Sequence, residues 1–188
     1  MDKRSRHIAS LVEGTVLDIG HSVGPLNDYI RKTASEVYSI DIIIKGPKEG
    51  ILKADCENMP FQAESFDTIV AGEVIEHLHN PEKLVSEARR VLKTNGLFIL
   101  TTPNVKSLVN RLTKCYHAPA HIALFTKKDL LSLLEKHGFA IKDYTLYPYT
   151  KESSEGSTHN WFYPVRSLLH YVIPKNLQEE MFIVAEKK

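Results

Sequence analysis

The sequence predicts an α/β fold built on a doubly wound, mostly parallel sheet. Three observations carry this expectation. From Thr15 onward, short β-branched apolar runs alternate with amphipathic segments of helical period. No internal repeat or linker divides the 188 residues, so 1–188 reads as one domain, long enough to bury a sizeable core. Several of the apolar runs end in an acid or a glycine, the punctuation expected where a buried strand gives way to a turn.

The elements follow in order. "MDKRSRHIASLVEG" reads as one short amphipathic helix, its apolar part too short and interrupted for a signal peptide. "TVLDIG" is a buried strand, "LNDYIRKT" a helix, "EVYSID" a second strand ending on Asp41, and "GILKAD" a third ending on Asp55. "SFDTIVAG" is a fourth strand, ending at Gly72. In "PEKLVSEARRVLKTNG" a helix is expected, with Leu84, Ala88, Val91 and Leu92 at helical spacing, Pro81 near its start and Gly96 past its end. "LFILTTP" is a fifth strand. A helix follows over "TKKDLLSLLEKHGF", with Thr126 as N-cap, Leu130, Leu133 and Leu134 as the buried stripe and Gly138 as the stop. "FAIKDYTLY" and "MFIVAEK" supply two late strands. The polar run 150–160 reads as a loop.

Composition narrows the function classes. A net charge of +1 gives no overall attraction to nucleic acid or acidic membranes, and no apolar run approaches the length of a membrane span. Two cysteines, Cys56 and Cys115, imply no disulfide framework and fit a reducing, cytoplasmic setting.

In open α/β sheets, ligands bind at the carboxyl ends of the strands, beside the point where strand order reverses. Asp18 lies within the first strand, Asp41 closes the second and Asp55 the third. Asp41 follows Gly20 by about twenty residues, the distance at which an acid can accept from a ribose diol. Carboxylates are poor neighbours for a pyrophosphate, which argues against a nicotinamide dinucleotide. They suit an amine, a ribose and an adenine amino group, and S-adenosylmethionine carries all three.

The run "VLDIGHSVGPL", followed by "DCENMPFQAESFDTIVAGEVIEHLHNPEKLVSEARRVLKTNGLFILTTPN", resembles the class I S-adenosylmethionine-dependent methyltransferases over roughly residues 14–146. Within them it is most similar to the small-molecule branch that includes the quinone-biosynthesis O-methyltransferases. The resemblance implies a Rossmann-like seven-stranded sheet with the last strand antiparallel. It also implies that Asp18, Gly20 and Gly24 lie against the methionine part of the cofactor, and that Asp41 binds the ribose with Ile42 beside the adenine. Asp55 and Cys56 would lie at the adenine edge, and Gly72 and Glu73 near the sulfonium and the substrate. The departure is Ser22, where the family usually has glycine. Serine is strained if the turn demands φ > 0 there, and otherwise its hydroxyl can help hold the cofactor carboxylate.

Methyl transfer to an oxygen of high pKa calls for a base or a metal. If "GEVIEHLHNP" turns helically, Glu73, Glu76 and His77 fall within an arc of about 100°, and this acidic and imidazole set is the candidate catalytic group. With His121 from "HIALFT" it resembles the metal-binding pattern of small-RNA 3′-end 2′-O-methyltransferases, which implies a site for Mg²⁺ or Mn²⁺. Metal-free base or substrate roles, and a purely structural role bracing the turn before Pro81, stand beside it. His79 falls off that face, and His7, His137 and His170 sit in helical patterns. The apolar faces of "VKSLVNRLTKCYHAPAH" and "HNWFYPVRSLLHYVIP" can cover an acceptor, extend the core or pair with a second copy. The expected function is therefore methyl transfer to a small molecule, at oxygen. RNA is a second acceptor class, through Lys106, Arg111, Lys114, Lys127 and Lys128, and a non-catalytic scaffold is a third reading.

Overall fold

The computed structural model describes residues 3–20, 25–44, 50–113, 121–148 and 174–188. In chain order these form α1 (Lys3–Leu11), β1 (Thr15–Ile19), α2 (Pro25–Thr33), β2 (Glu36–Asp41), β3 (Ile51–Lys53) and β4 (Phe66–Gly72). After a 3₁₀ turn at Ile75–His77 come α3 (Pro81–Val91), β5 (Leu92–Pro103), α4 (Leu108–Thr113), α5 (Lys127–Lys136) and β6 (Phe139–Tyr147). A second 3₁₀ turn, Lys175–Leu177, leads into β7 (Glu180–Lys187).

Strand alternation explains why helices cover both faces. Successive side chains on a strand point to opposite sides, and here both sides are apolar. Val16, Val70, Ile99 and Phe182 pack with Ile8 of α1 and Ile30 of α2. Their chain neighbours Leu17, Ile69, Leu100 and Ile183 pack on the other face with Leu84 and Ala88 of α3 and with Leu130 and Leu134 of α5. The sheet has seven strands in the order β3-β2-β1-β4-β5-β7-β6. β1 to β5 pair in parallel, and β7 runs antiparallel between β5 and β6. The doubly wound sheet with its last strand antiparallel is thus present. None of the described helices is long and apolar enough to cross a membrane.

Some boundaries differ from the sequence reading. α3 stops at Val91, and Leu92 already pairs with Phe66 as the first residue of β5. The register then shifts between Phe66 and Thr68. Gly96 therefore lies inside a strand, where a Cβ would meet the Lys93 carbonyl oxygen at 2.9 Å. β3 ends at Lys53, so Asp55 stands in the turn beyond it. In α5, Thr126 forms a full capping box with Asp129, but Leu133 is only partly buried beside Leu130 and Leu134.

Strand order reverses between β1 and β4. The chain leaves β1 toward β2 and leaves β4 toward β5 on the other side, which opens a crevice at their carboxyl ends.

Candidate active site

The β1 side of the crevice is built on backbone. Gly20 follows β1 at φ +77, a conformation that costs glycine little, and a Cβ there would collide with Val74 Cγ2. The turn after β1 therefore touches the turn after β4. Ser22 and Gly24 lie outside the described residues. Asp18 is buried and accepts from Asn27 Nδ2 at 2.7 Å. Asn27 also donates to Ser39 Oγ at 3.1 Å and accepts from Arg31 Nε at 2.7 Å. This network ties α2 to β1 and β2 beneath the turn, and no sequence signal singled out Asn27.

Asp41 and Asp55 share a local device. Asp41 Oδ1 accepts from the Ile43 N–H, and Asp55 Oδ1 from the Glu57 N–H, each at 2.8 Å. Such turns fix the side chain through one oxygen, bonded to the backbone two residues on. Beside Asp41, Ile42 and Ile43 are 60% and 68% exposed. Cys56 is different: its side chain belongs to the core, and burial, helped by the charges of Asp55 and Glu57, pushes its thiol up to about 12. It is no nucleophile. Gly72 ends β4, and a methyl there would make only ordinary contact with Thr101 Oγ1 at 3.6 Å.

The β4 side is acidic. Glu73 stands at φ +56, an unusual conformation for a non-glycine residue, with its N–H donating to the Thr101 carbonyl at 3.0 Å. The expected helical face is absent: only Ile75–His77 forms a 3₁₀ turn, and Glu73 precedes it. Glu76, His77 and His121 do converge, with ligand atoms all within 4.8 Å of one another, but Glu73 is outside that group. Its carboxylate instead lies 4.0 Å from Arg4 Nη1 and accepts from Thr101 Oγ1 at 3.4 Å.

His121 is delivered by backbone. The N–H groups of Ile122 and Ala123 both donate to the Glu76 carbonyl, at 2.8 and 2.9 Å. The two imidazoles tilt together with centroids 5.0 Å apart. Glu76 Oε2 accepts from Thr102 Oγ1 at 3.0 Å, whereas among the described residues Glu76 Oε1 and His121 Nδ1 are buried atoms with no hydrogen-bond partner. Burial pushes Glu76 up to about 7, and burial together with nearby His77 lowers His121. His79 is exposed. His7 is spent on packing: it stacks on Phe182 and pairs with the Tyr147 hydroxyl at 2.8 Å. His137 Nδ1 lies 2.9 Å from the Leu133 carbonyl, and His170 lies outside the described residues.

Two residues of this site escaped the sequence reading. Glu180, the first residue of β7, is buried and paired with Arg4 of α1. Burial raises both Glu73 and Glu180 to about 8; the charge of Glu76 adds to the first, and Arg4 pulls both back. Among the lysines and arginines expected as a phosphate patch, Lys127 lies over the Tyr144 ring at 4.0 Å, and Lys114 is outside the described residues.

The profile of a family described as a methyltransferase domain matches residues 2–144. The chain belongs to this family, the S-adenosylmethionine-dependent methyltransferases. The methyltransferase domain is 31% identical over 137 residues to a probable S-adenosylmethionine-dependent methyltransferase of Mycolicibacterium smegmatis, covering 68% of this chain and 52% of that protein. It is 29% identical over 111 residues to the ubiquinone biosynthesis O-methyltransferase of Histophilus somni, covering 50% of this chain and 47% of that one. The chain thus spans about half the length of the curated relatives it matches. Among solved structures, a methyltransferase of Haloferax volcanii in complex with the Trm112 activator superposes with TM-score 0.74 at 16% identity, covering 97% of this chain and 88% of that one. An S-adenosylmethionine-dependent methyltransferase from Archaeoglobus fulgidus gives 0.70 at 19% identity, covering 97% and 90%. These structures share the fold.

Proposed function

We propose that the methyltransferase domain transfers the methyl group of S-adenosylmethionine to an oxygen of a small-molecule acceptor. The observation that carries the reading is the two-sided crevice between β1 and β4. Turn-fixed Asp41 and Asp55 stand on one side of it, and the Glu76–His77–His121 convergence on the other. The residues present fit the cofactor. Asp41 has an oxygen to offer a ribose diol, exposed Ile42 offers an apolar face to adenine, and Asp55 offers an acceptor for an exocyclic amine. Asp18 acts at one remove, by fixing α2 beneath the turn through Asn27. Ser22 and Gly24 complete the proposed binding turn.

Bound S-adenosylmethionine supplies an activated methyl group; the chain supplies alignment, a dry site and a place for the acceptor's proton. His77, half-exposed with Nε2 4.0 Å from Glu76 Oε1, is the group best able to take that proton. Glu76, His77 and His121, which bring one ligand atom each within 4.8 Å of the others, also suit a divalent cation. Of Mg²⁺ and Mn²⁺, a set containing two imidazoles favours Mn²⁺. Such an ion would acidify an acceptor hydroxyl held at its open positions.

Calorimetry with S-adenosylhomocysteine, with and without Mn²⁺, tests both parts. Micromolar binding of the nucleoside supports the cofactor reading, and no heat at millimolar concentration overturns it. Mn²⁺ binding that disappears in Glu76→Gln and His121→Ala supports the metal. Its absence in the unaltered protein leaves His77 as a metal-free base.

A further inference from the structure

The acidic side of the crevice is held by residues from the two extremes of the described chain. Glu180 sits where β7 meets the carboxyl end of β5, paired in register with Pro103, and on its other side with Tyr147 of β6. Its backbone is braced: the Asn104 N–H and Asn110 Nδ2 donate to the Glu179 carbonyl at 2.7 and 2.9 Å, and Asn104 Nδ2 donates to that of Gln178 at 2.8 Å. Arg4 reaches over from α1, whose orientation is fixed by Ile8 in the core and by His7 between Phe182 and Tyr147. The guanidinium donates to Glu180 and lies 4.0 Å from Glu73 Oε1. Glu73 itself stands in a left-handed conformation, at φ +56. It directly follows Gly72, and its successor Val74 touches the turn at Gly20, so Glu73 borders the crevice between β1 and β4.

We infer that Arg4 and Glu180 are positioning residues that hold the Glu73 carboxylate at this crevice, facing the cationic sulfonium of the cofactor. The inference rests on the cofactor reading above. The braced Glu180 fixes Arg4, and Arg4 fixes Glu73. In this arrangement α1 is a wall of the site as well as a cover for the sheet.

The sign of the effect separates positioning from simple charge. Arg4 is a cation near a cationic ligand, so deleting its charge alone would tighten S-adenosylmethionine relative to neutral S-adenosylhomocysteine. Loss of positioning does the reverse. The experiment is calorimetry of the full chain with S-adenosylmethionine, S-adenosylhomocysteine and adenosine, in buffer above the pH of about 8 to which burial raises Glu73. Glu73→Gln is expected to reduce the preference for the sulfonium about tenfold, and Arg4→Gln to reduce it in the same direction, with adenosine affinity unchanged. Arg4→Lys should recover part of the preference. The double variant Arg4→Gln/Glu180→Gln removes the Glu180 charge together with its partner, and should keep the reduced preference while recovering part of the melting temperature lost in Arg4→Gln. A preference that rises in Arg4→Gln, or stays level in both Arg4→Gln and the double variant while adenosine binds normally, overturns the inference. If adenosine, S-adenosylhomocysteine and S-adenosylmethionine all fail to bind the unaltered protein, the cofactor reading is what fails.

Discussion

Replacing Gly20 with alanine tests how the crevice is built. Two costs add at this position. A Cβ at φ +77 carries the left-handed penalty of about 1–2 kcal/mol. The same atom falls inside van der Waals contact of Val74 Cγ2, and Val74 is a stiff β-branched residue packed against the core, so the clash costs a further 1–3 kcal/mol or so. Together they come to about 2–5 kcal/mol, or roughly 4–20 °C in Tm for a chain of this size. The second cost is removable and the first is not. In the double variant Gly20→Ala/Val74→Ala, a coupling of about 1–3 kcal/mol should reappear as relative stabilisation. Urea denaturation followed by circular dichroism measures all four corners of the cycle. If Gly20→Ala stays within about 0.5 kcal/mol of the unaltered protein, or the coupling is absent, the turns after β1 and β4 do not meet as described.

Further outcomes concern charge and caps. Glu73, Glu76 and Glu180 are all raised above the ordinary carboxylate value, so the folded protein holds protons that the unfolded chain releases. That contribution is complete below the unfolded value of 4.5 and is lost as pH climbs through about 7 to 8, so Tm of the ligand-free protein should fall over this range. Glu180→Gln should flatten the profile, and a Tm that climbs with pH would refute the assignment. Asp41→Ala should weaken S-adenosylhomocysteine roughly 10- to 100-fold in calorimetry, and an unchanged dissociation constant would displace the ribose from this carboxylate. Thr126→Ala removes one arm of the α5 capping box and should lower Tm by about 2–4 °C with cofactor affinity unaltered.

Local pattern made much of the fold legible. Val16–Leu17, Ile69–Val70 and Ile99–Leu100 are apolar at successive positions, which a strand buried on both faces requires and a solvent-facing strand forbids. Pro81, Thr126 and Gly138 announced helix ends by their own backbone chemistry. The α3–β5 junction was less legible, because Leu92 continues the helical spacing and only its pairing with Phe66 decides that it is extended. At the site, the turns at Asp41 and Asp55 are local and could be read. Arg4 and Glu180 could not, since 176 positions separate them and neither departs from the pattern of its own element. A weak signal for Glu180 existed in "LQEEMFIVAEK", where two acids precede an apolar strand. The left-handed Glu73 is hidden for the opposite reason: the neighbouring Gly72 is the residue that local rules would choose for that conformation.

The insertion of β7 between β5 and β6 has a consequence for biosynthesis. Until residues 180–187 have left the ribosome, β5 and β6 each present an unpaired edge to solvent or to a chaperone, a state open to wrong pairing. The same segment brings Glu180 to meet Arg4, a residue translated 176 positions earlier. Sealing the sheet and finishing the acidic wall are therefore one event, so a nascent chain halted before β7 would have neither a closed core nor its complement of carboxylates.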